Sequence, residues 1–113
     1  MKKNPNRYFW LPLRLDVLHS DTPRLTPSKS WLYIRVLGVY WQSGCKFPYE
    51  DLCTALNCKD VEVADLFERV PSFEVIEGNI HHQVYFDEYA RALKKSESAR
   101  KAAATRWQGA SNE

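Results

Sequence analysis

The stretch FEVIEGNIHHQVYF, residues 73–86, decides the fold, because two β-type runs stand on either side of the tripeptide Glu77-Gly78-Asn79. Branched and aromatic side chains suit a pleated, half-buried surface, and a glycine between them permits the positive φ that a tight reversal needs. The run predicts a two-stranded β-hairpin. Along a strand His81 and His82 point to opposite faces, so the pair reads as structural and only one of them can face outward. The hairpin offers Asn79, His81, His82 and Gln83 to a partner, and no Lys or Arg.

Working back from the hairpin, DVEVADLFERV (60–70) predicts a helix with Asp60 as its cap and Val63, Leu66, Phe67 and Val70 as its apolar stripe, stopped by Pro71. FPYEDLCTALNC (47–58) predicts a shorter one, with Pro48 near its start and Glu50 and Asp51 in the first turn, where the helix dipole favours acids. Before these, Thr26 and Pro27 open a long helix that runs to a stop at Gly44. Its apolar residues from Trp31 to Trp41 cover nearly every face, which makes it the central buried helix. Residues 11–17 alternate as a short strand would, while 15–19 fit a helical turn equally well. Residues 1–7, MKKNPNR, read as a flexible lead-in.

Beyond the hairpin a last helix is expected from about Asp87. Tyr89, Ala90 and Leu93 can pack, but after Lys94 only alanines are apolar before Trp107, so the helix outruns its core. The division that follows is a lead-in (1–7), a domain (8–93) and a basic C-terminal helix and tail (94–113). Three helices and then a hairpin is the order of a winged-helix domain, and the expected fold class is α+β, a winged helix with an extended basic C-terminal helix.

Charge is divided unevenly. The net charge of +2 comes from a basic start (residues 1–46, net +6), an acidic middle (47–89, net −8), a basic segment from 90 to 106 (net +5) and Glu113 (−1). Basic ends suit an anionic partner, and the middle should avoid one. The third helix would carry Asp60, Glu62, Asp65 and Glu68 into a major groove against only Lys59 and Arg69, so it is a poor DNA reader. The candidate nucleic-acid residues are therefore Lys2, Lys3, Arg7 and Arg14 at one end and Arg91, Lys94, Lys95, Arg100, Lys101 and Arg106 at the other. Alternatively Glu50, Asp51, Glu62, Asp65 and Glu68 would form an acidic face for a basic protein, such as a replication protein or a host factor. Trp107 is open to packing on the body, on a partner or in an oligomer.

No nucleophile elbow surrounds Ser28, Ser30 or Ser43, no glycine cluster cradles a phosphate, and no acid stands ready to work with His81 or His82, so no catalytic role is expected. Cys45, Cys53 and Cys58 follow Cys-x7-Cys-x4-Cys, which is not a usual zinc spacing; reduced thiols, no metal and no cofactor are expected. Pro12, Arg14 and Asp16 interrupt any signal-peptide core, and no apolar run approaches a membrane span, so the expected place is the cytoplasm.

Several of these pieces together resemble the YdaU-like prophage domain. Its Pro-aromatic, Gly-Asp, Asp-Thr and Leu-Ser pattern is similar to Pro12-Leu13, Leu15-Asp16, Asp21-Thr22 and Leu25-Thr26. Its central Tyr-Leu-Arg-Leu-Leu-x-x-Tyr-Trp resembles the run from Tyr33 to Trp41, and its closing Ala-x-x-Arg-Trp resembles Ala103 to Trp107. The resemblance covers roughly residues 8–107, with Leu15 in place of the family's glycine and Trp31-Leu32 in place of its Gly-Ala. It implies a winged helix and a role in phage DNA metabolism, often replication initiation, where the domain precedes a helicase-loading region. The chain is then expected to be a stand-alone module or the N-terminal piece of something longer.

Overall fold

The structure, a computed structural model, describes residues 11–111, with side chains described as far as Arg106. It is α+β and mostly helical: α1 (Leu15–Asp21), α2 (Pro27–Gln42), a 3-10 turn (Tyr49–Asp51) leading into α3 (Leu52–Leu56), α4 (Asp60–Arg69), β1 (Phe73–Ile76), β2 (Asn79–His82) and α5 (Gln83–Ser111). β1 and β2 pair antiparallel with Phe73 opposite His82 and Ile76 opposite Asn79. This arrangement is compatible with a helix-turn-helix followed by a wing. No helix among the described residues is long and apolar enough to cross a membrane.

α2 is the centre. Thr26 accepts the Lys29 amide at 3.2 Å and Pro27 occupies the first helical position, so the start is capped as its chemistry dictates. At the other end Gly44 takes φ 77°, and the Cys45 amide returns to the Tyr40 carbonyl at 2.8 Å. Leu32, Tyr33, Val36, Leu37, Tyr40 and Trp41 are buried between these ends, whereas Trp31 is 61% exposed. The all-round apolar sequence of α2 therefore has one open face, on which Trp31 stands.

Aromatic rings knit the other elements to α2. Tyr33 meets Phe73 of β1 with centroids 5.3 Å apart, Phe73 stacks on Phe67 of α4 at 4.9 Å, and Phe67 meets Tyr49 edge-on at 5.0 Å. Each such pair adds about 0.5–1.5 kcal/mol beyond the area it buries. On the far side Trp41 and Tyr89 bring α5 against α2.

One open reading is resolved and three change. Residues 15–21 are helical, since Val17 and Leu18 pack against the core while Asp16 and His19 face water. Asp60 does not cap α4; Lys59 precedes the helix in extended conformation, without a side-chain cap bond, and Asp60 is its first residue. The hairpin turn is two residues, Glu77 and Gly78, with φ of 52° and 81°, and Asn79 already belongs to β2. A turn with both central residues at positive φ matches the right-handed twist of the strands it joins.

The fourth is the start of α5, which lies at Gln83 rather than Asp87. Tyr85 and Tyr89, four apart and both buried, set a helical period that overrides the alternation of residues 80–86, and Gln83 donates to Asp87 at 2.9 Å across the first turn. At 29 residues α5 is about 43 Å long, well beyond what the body can cover.

Candidate functional site

Two polar assemblies are in view, one sealed inside the body and one spread along α5. The sealed one centres on Asp21, the last residue of α1 and 7% exposed. Its Oδ2 accepts the Tyr33 hydroxyl at 2.6 Å and faces His82 Nε2 at 2.9 Å, while Oδ1 accepts the Ser72 hydroxyl at 2.6 Å. One carboxylate thus joins α1, α2, the segment before β1 and β2. Burial, followed by the bond to Asp21, holds the Tyr33 hydroxyl far above the ordinary phenol range. His82 lies against the rings of Phe73 and Tyr85, and its Nδ1 is buried without a hydrogen-bond partner.

An aspartate, a histidine and a serine together invite comparison with a nucleophilic triad, but the connections differ. Ser72 donates to the carboxylate, and the other imidazole nitrogen is closed off from solvent. With no path from the serine proton to the imidazole, this constellation holds elements together and does not activate a nucleophile. Among the described residues no group of three or more His, Cys, Asp or Glu side chains could hold a metal ion.

The second assembly is basic. Lys94, Lys95, Arg100, Lys101 and Arg106 are exposed on α5, and none has an ion pair among the described residues. At 100° per residue Lys94 and Lys101 fall on one line, with Lys95 and Arg106 on the neighbouring side. The line continuing the buried Tyr85 and Tyr89 carries Ala92, Ser96, Arg100 and Ala103, so apart from Arg100 the positive charge lies off the face that leads into the core.

Arg14 and Arg91 behave differently. Arg14 pairs with Asp16 at 2.7 Å and reaches Glu88 at 3.5 Å, and Arg91 reaches the same Glu88 oxygen at 3.3 Å. Hydrogen bonding to Asp16 raises the Arg14 pKa and lowers that of Asp16. The Arg14 amide also donates to the Tyr85 hydroxyl at 3.2 Å, fixing the segment before α1 on the root of α5. Arg14 of the N-terminal candidates and Arg91 of the C-terminal ones therefore meet at Glu88. Lys2, Lys3 and Arg7 lie outside the described residues, as does the side chain of Trp107.

The acidic set is dispersed. Glu50 and Asp51 sit on the 3-10 turn and Glu68 on the open face of α4, all exposed. Glu62 is half-buried. Asp65 is committed, at 2.9 Å from both Lys29 of α2 and Arg69 of its own helix, and bonds from Lys29 and then Arg69 hold its carboxyl below the usual range. A groove of about 480 Å³ between the 3-10 turn and the hairpin tip is lined by Tyr49, Glu50, Val75 and Glu77 among others, with carboxylates and no cation.

Sequence reasoning did not find the Asp21 hub, because its members lie up to 61 residues apart and none stands in a motif of its own. The available signal was an acid and a histidine each placed among core residues, which demands a partner. No protein-family model, curated protein or solved structure matches the chain.

Proposed function

We propose that the chain is a winged-helix DNA-binding protein of phage or prophage type, acting in DNA replication or its regulation, and that it grips phosphates through α5. The observation that carries this reading is the set of five exposed Lys and Arg side chains on one helix, none engaged by an acid among the described residues. Phosphate contacts of this kind supply sequence-independent affinity and make it fall with salt. The root of the helix is held by Tyr85, Tyr89 and the Arg14–Glu88–Arg91 cluster, so the basic stretch is presented from a fixed base.

The winged-helix reading draws support from the order of elements and from one pairing. Pro48 bridges Asn79, the Ile80 amide donates to the Phe47 carbonyl at 2.9 Å, and the Tyr49 amide donates to the Gly78 carbonyl at 2.9 Å. The segment between α2 and α3 thus lies along β2 as a short third strand would in that fold. The resemblance to the YdaU-like prophage domain adds the phage setting. Lys2, Lys3 and Arg7 would join α5 in this role, while Arg14 and Arg91, sharing Glu88, would position the helix.

Neither α4 nor the hairpin makes a good reader, since Asp60, Glu68, Glu74 and Glu77 are exposed there. One observation favours a second use of this side. Val61 is 71% exposed amid Asp60 and Glu68, an apolar point in an acidic surface that suits a basic protein such as a replication or host factor.

The test is a titration of duplex DNA with the full chain beside a form ending at Leu93, each at two salt concentrations. If four to six phosphates are neutralised, log K should fall with log salt at a slope of about −4 to −5, and the shortened form should lose most of that slope. Equal affinity and slope for both forms would overturn the assignment to α5.

A further inference from the structure

Two helices of this chain end by the same device with different side chains. α2 closes around Gly44 as described. α3 closes around Asn57 at φ 53°, the Cys58 amide returning to the Cys53 carbonyl at 3.0 Å and the Asn57 amide to the Thr54 carbonyl at 3.4 Å. This closure turns the two residues that flank it, five apart, toward each other, and an apolar pair commonly fills the place. At α2 the pair is Tyr40 and Cys45, both buried; at α3 it is two half-buried thiols, Cys53 and Cys58. Asp60 lies close enough to the Cys53 thiol, and the two thiols close enough to each other, to shift their titration.

We propose that Cys53 and Cys58 form a thiol–disulfide exchange site, at which a small-molecule disulfide such as oxidised glutathione is reduced to two thiols while an intrachain disulfide closes between α3 and α4. The pair differ in their roles. The Asp60 carboxylate, ahead of burial, pushes the Cys53 thiol up to about 11. Burial and then Glu62 raise Cys58, but the Cys53 thiol and the Arg35 guanidinium work in the opposite direction, and with a cation on its side Cys58 takes the part of the attacking thiol.

The Cys58 thiolate attacks one sulfur of the small disulfide, forming a mixed disulfide and expelling one thiolate, which takes up the proton that Cys58 released to solvent. Cys53 then passes its proton to Asp60, attacks the Cys58 sulfur and expels the second thiolate, which collects that proton. Two thiol hydrogens and two electrons leave the protein, and two small thiols are formed. The new ring encloses residues 54–57, including the Leu56 carbonyl that accepts Arg35 of α2 at 2.7 Å, so oxidation clamps the turn between α3 and α4 onto the central helix.

The test uses the full chain with oxidised glutathione, quenched in acid, alkylated after denaturation and mapped by mass spectrometry. The expected product has Cys53 and Cys58 joined, lighter by two hydrogen atoms, and Cys45 still a free thiol. Cys53→Ser should accumulate glutathione on Cys58, and Cys58→Ser should react on the order of tenfold more slowly than the native chain. Below the Cys58 pKa, with Asp60 and Glu62 of α4 and Arg35 of α2 facing the pair, the rate should rise about tenfold per pH unit. Protection of Cys45 from alkylation under native conditions verifies that each variant is folded. Glutathione remaining on Cys58 in the native chain, a disulfide-linked dimer, or two free thiols at a dose that modifies Cys53→Ser would each overturn the proposal.

Discussion

The two halves of α5 share one backbone and have opposite surroundings. From Gln83 to Leu93 the helix buries Tyr85 and Tyr89, receives the Arg14 amide and places Glu88 between two guanidinium groups. From Lys94 to Arg106 only Ser96 and Ala103 are even half-buried, and the charges are unpaired among the described residues. The first half belongs to the core, and its loss should be a loss of stability. The second contributes little to folding, and its charges are available to a partner.

Three substitutions in the body probe that separation. The largest effect is expected from Asp21→Ala, which strands the Tyr33 and Ser72 hydroxyls and His82 Nε2 in the interior. Removing one member of a buried charged network costs about 3–5 kcal/mol, readable as a fall in urea midpoint. A change within experimental error would mean that the hub does not join the four segments.

Gly78→Val comes next. At φ 81° a β-branched side chain is strained, and a cost of about 1–2 kcal/mol is expected by thermal or urea unfolding, with DNA affinity unchanged once the protein is folded. A parallel loss of affinity in the folded variant would tie the hairpin to DNA and break the division between body and arm.

The smallest effect concerns Asp65. Lys29 and Arg69 depress its folded pKa, so its contribution is present above the unfolded value of about 4 and is lost as pH falls through the lower folded value. Asp65→Asn should remove part of the acid-side decline in stability, and added salt should shrink the difference because the pair is partly exposed. A variant with the same acid limb as the native chain would show that the link between α2 and α4 is inert.

Much of the body was legible because local chemistry agreed with the fold. Thr26-Pro27, Gly44 and Gly78 each carry a backbone requirement on a single residue, and the stripe of α4 has the right period. The start of α5 was not, because residues 80–86 fit both a strand and a helix until Tyr85 and Tyr89 are seen to share a buried side. The basic candidates were legible as residues but not as roles. Which of them are spent internally depends on Asp16 and Glu88, one of which is 74 residues from Arg14, and no spacing rule reports that pairing. The Cys53–Cys58 contact was in reach, since Asn57 between a short helix and a second start is a left-handed closure signal.

The central claim is that the exposed charges beyond Leu93 carry the phosphate contacts. Its most direct test is a salt series of DNA affinity for the native chain and for Lys94→Glu/Lys101→Glu, two reversals on one line of the helix and outside the core. The predicted result is a log–log slope smaller in magnitude by about 2, with the unfolding midpoint unchanged. The same slope in both proteins would contradict the claim.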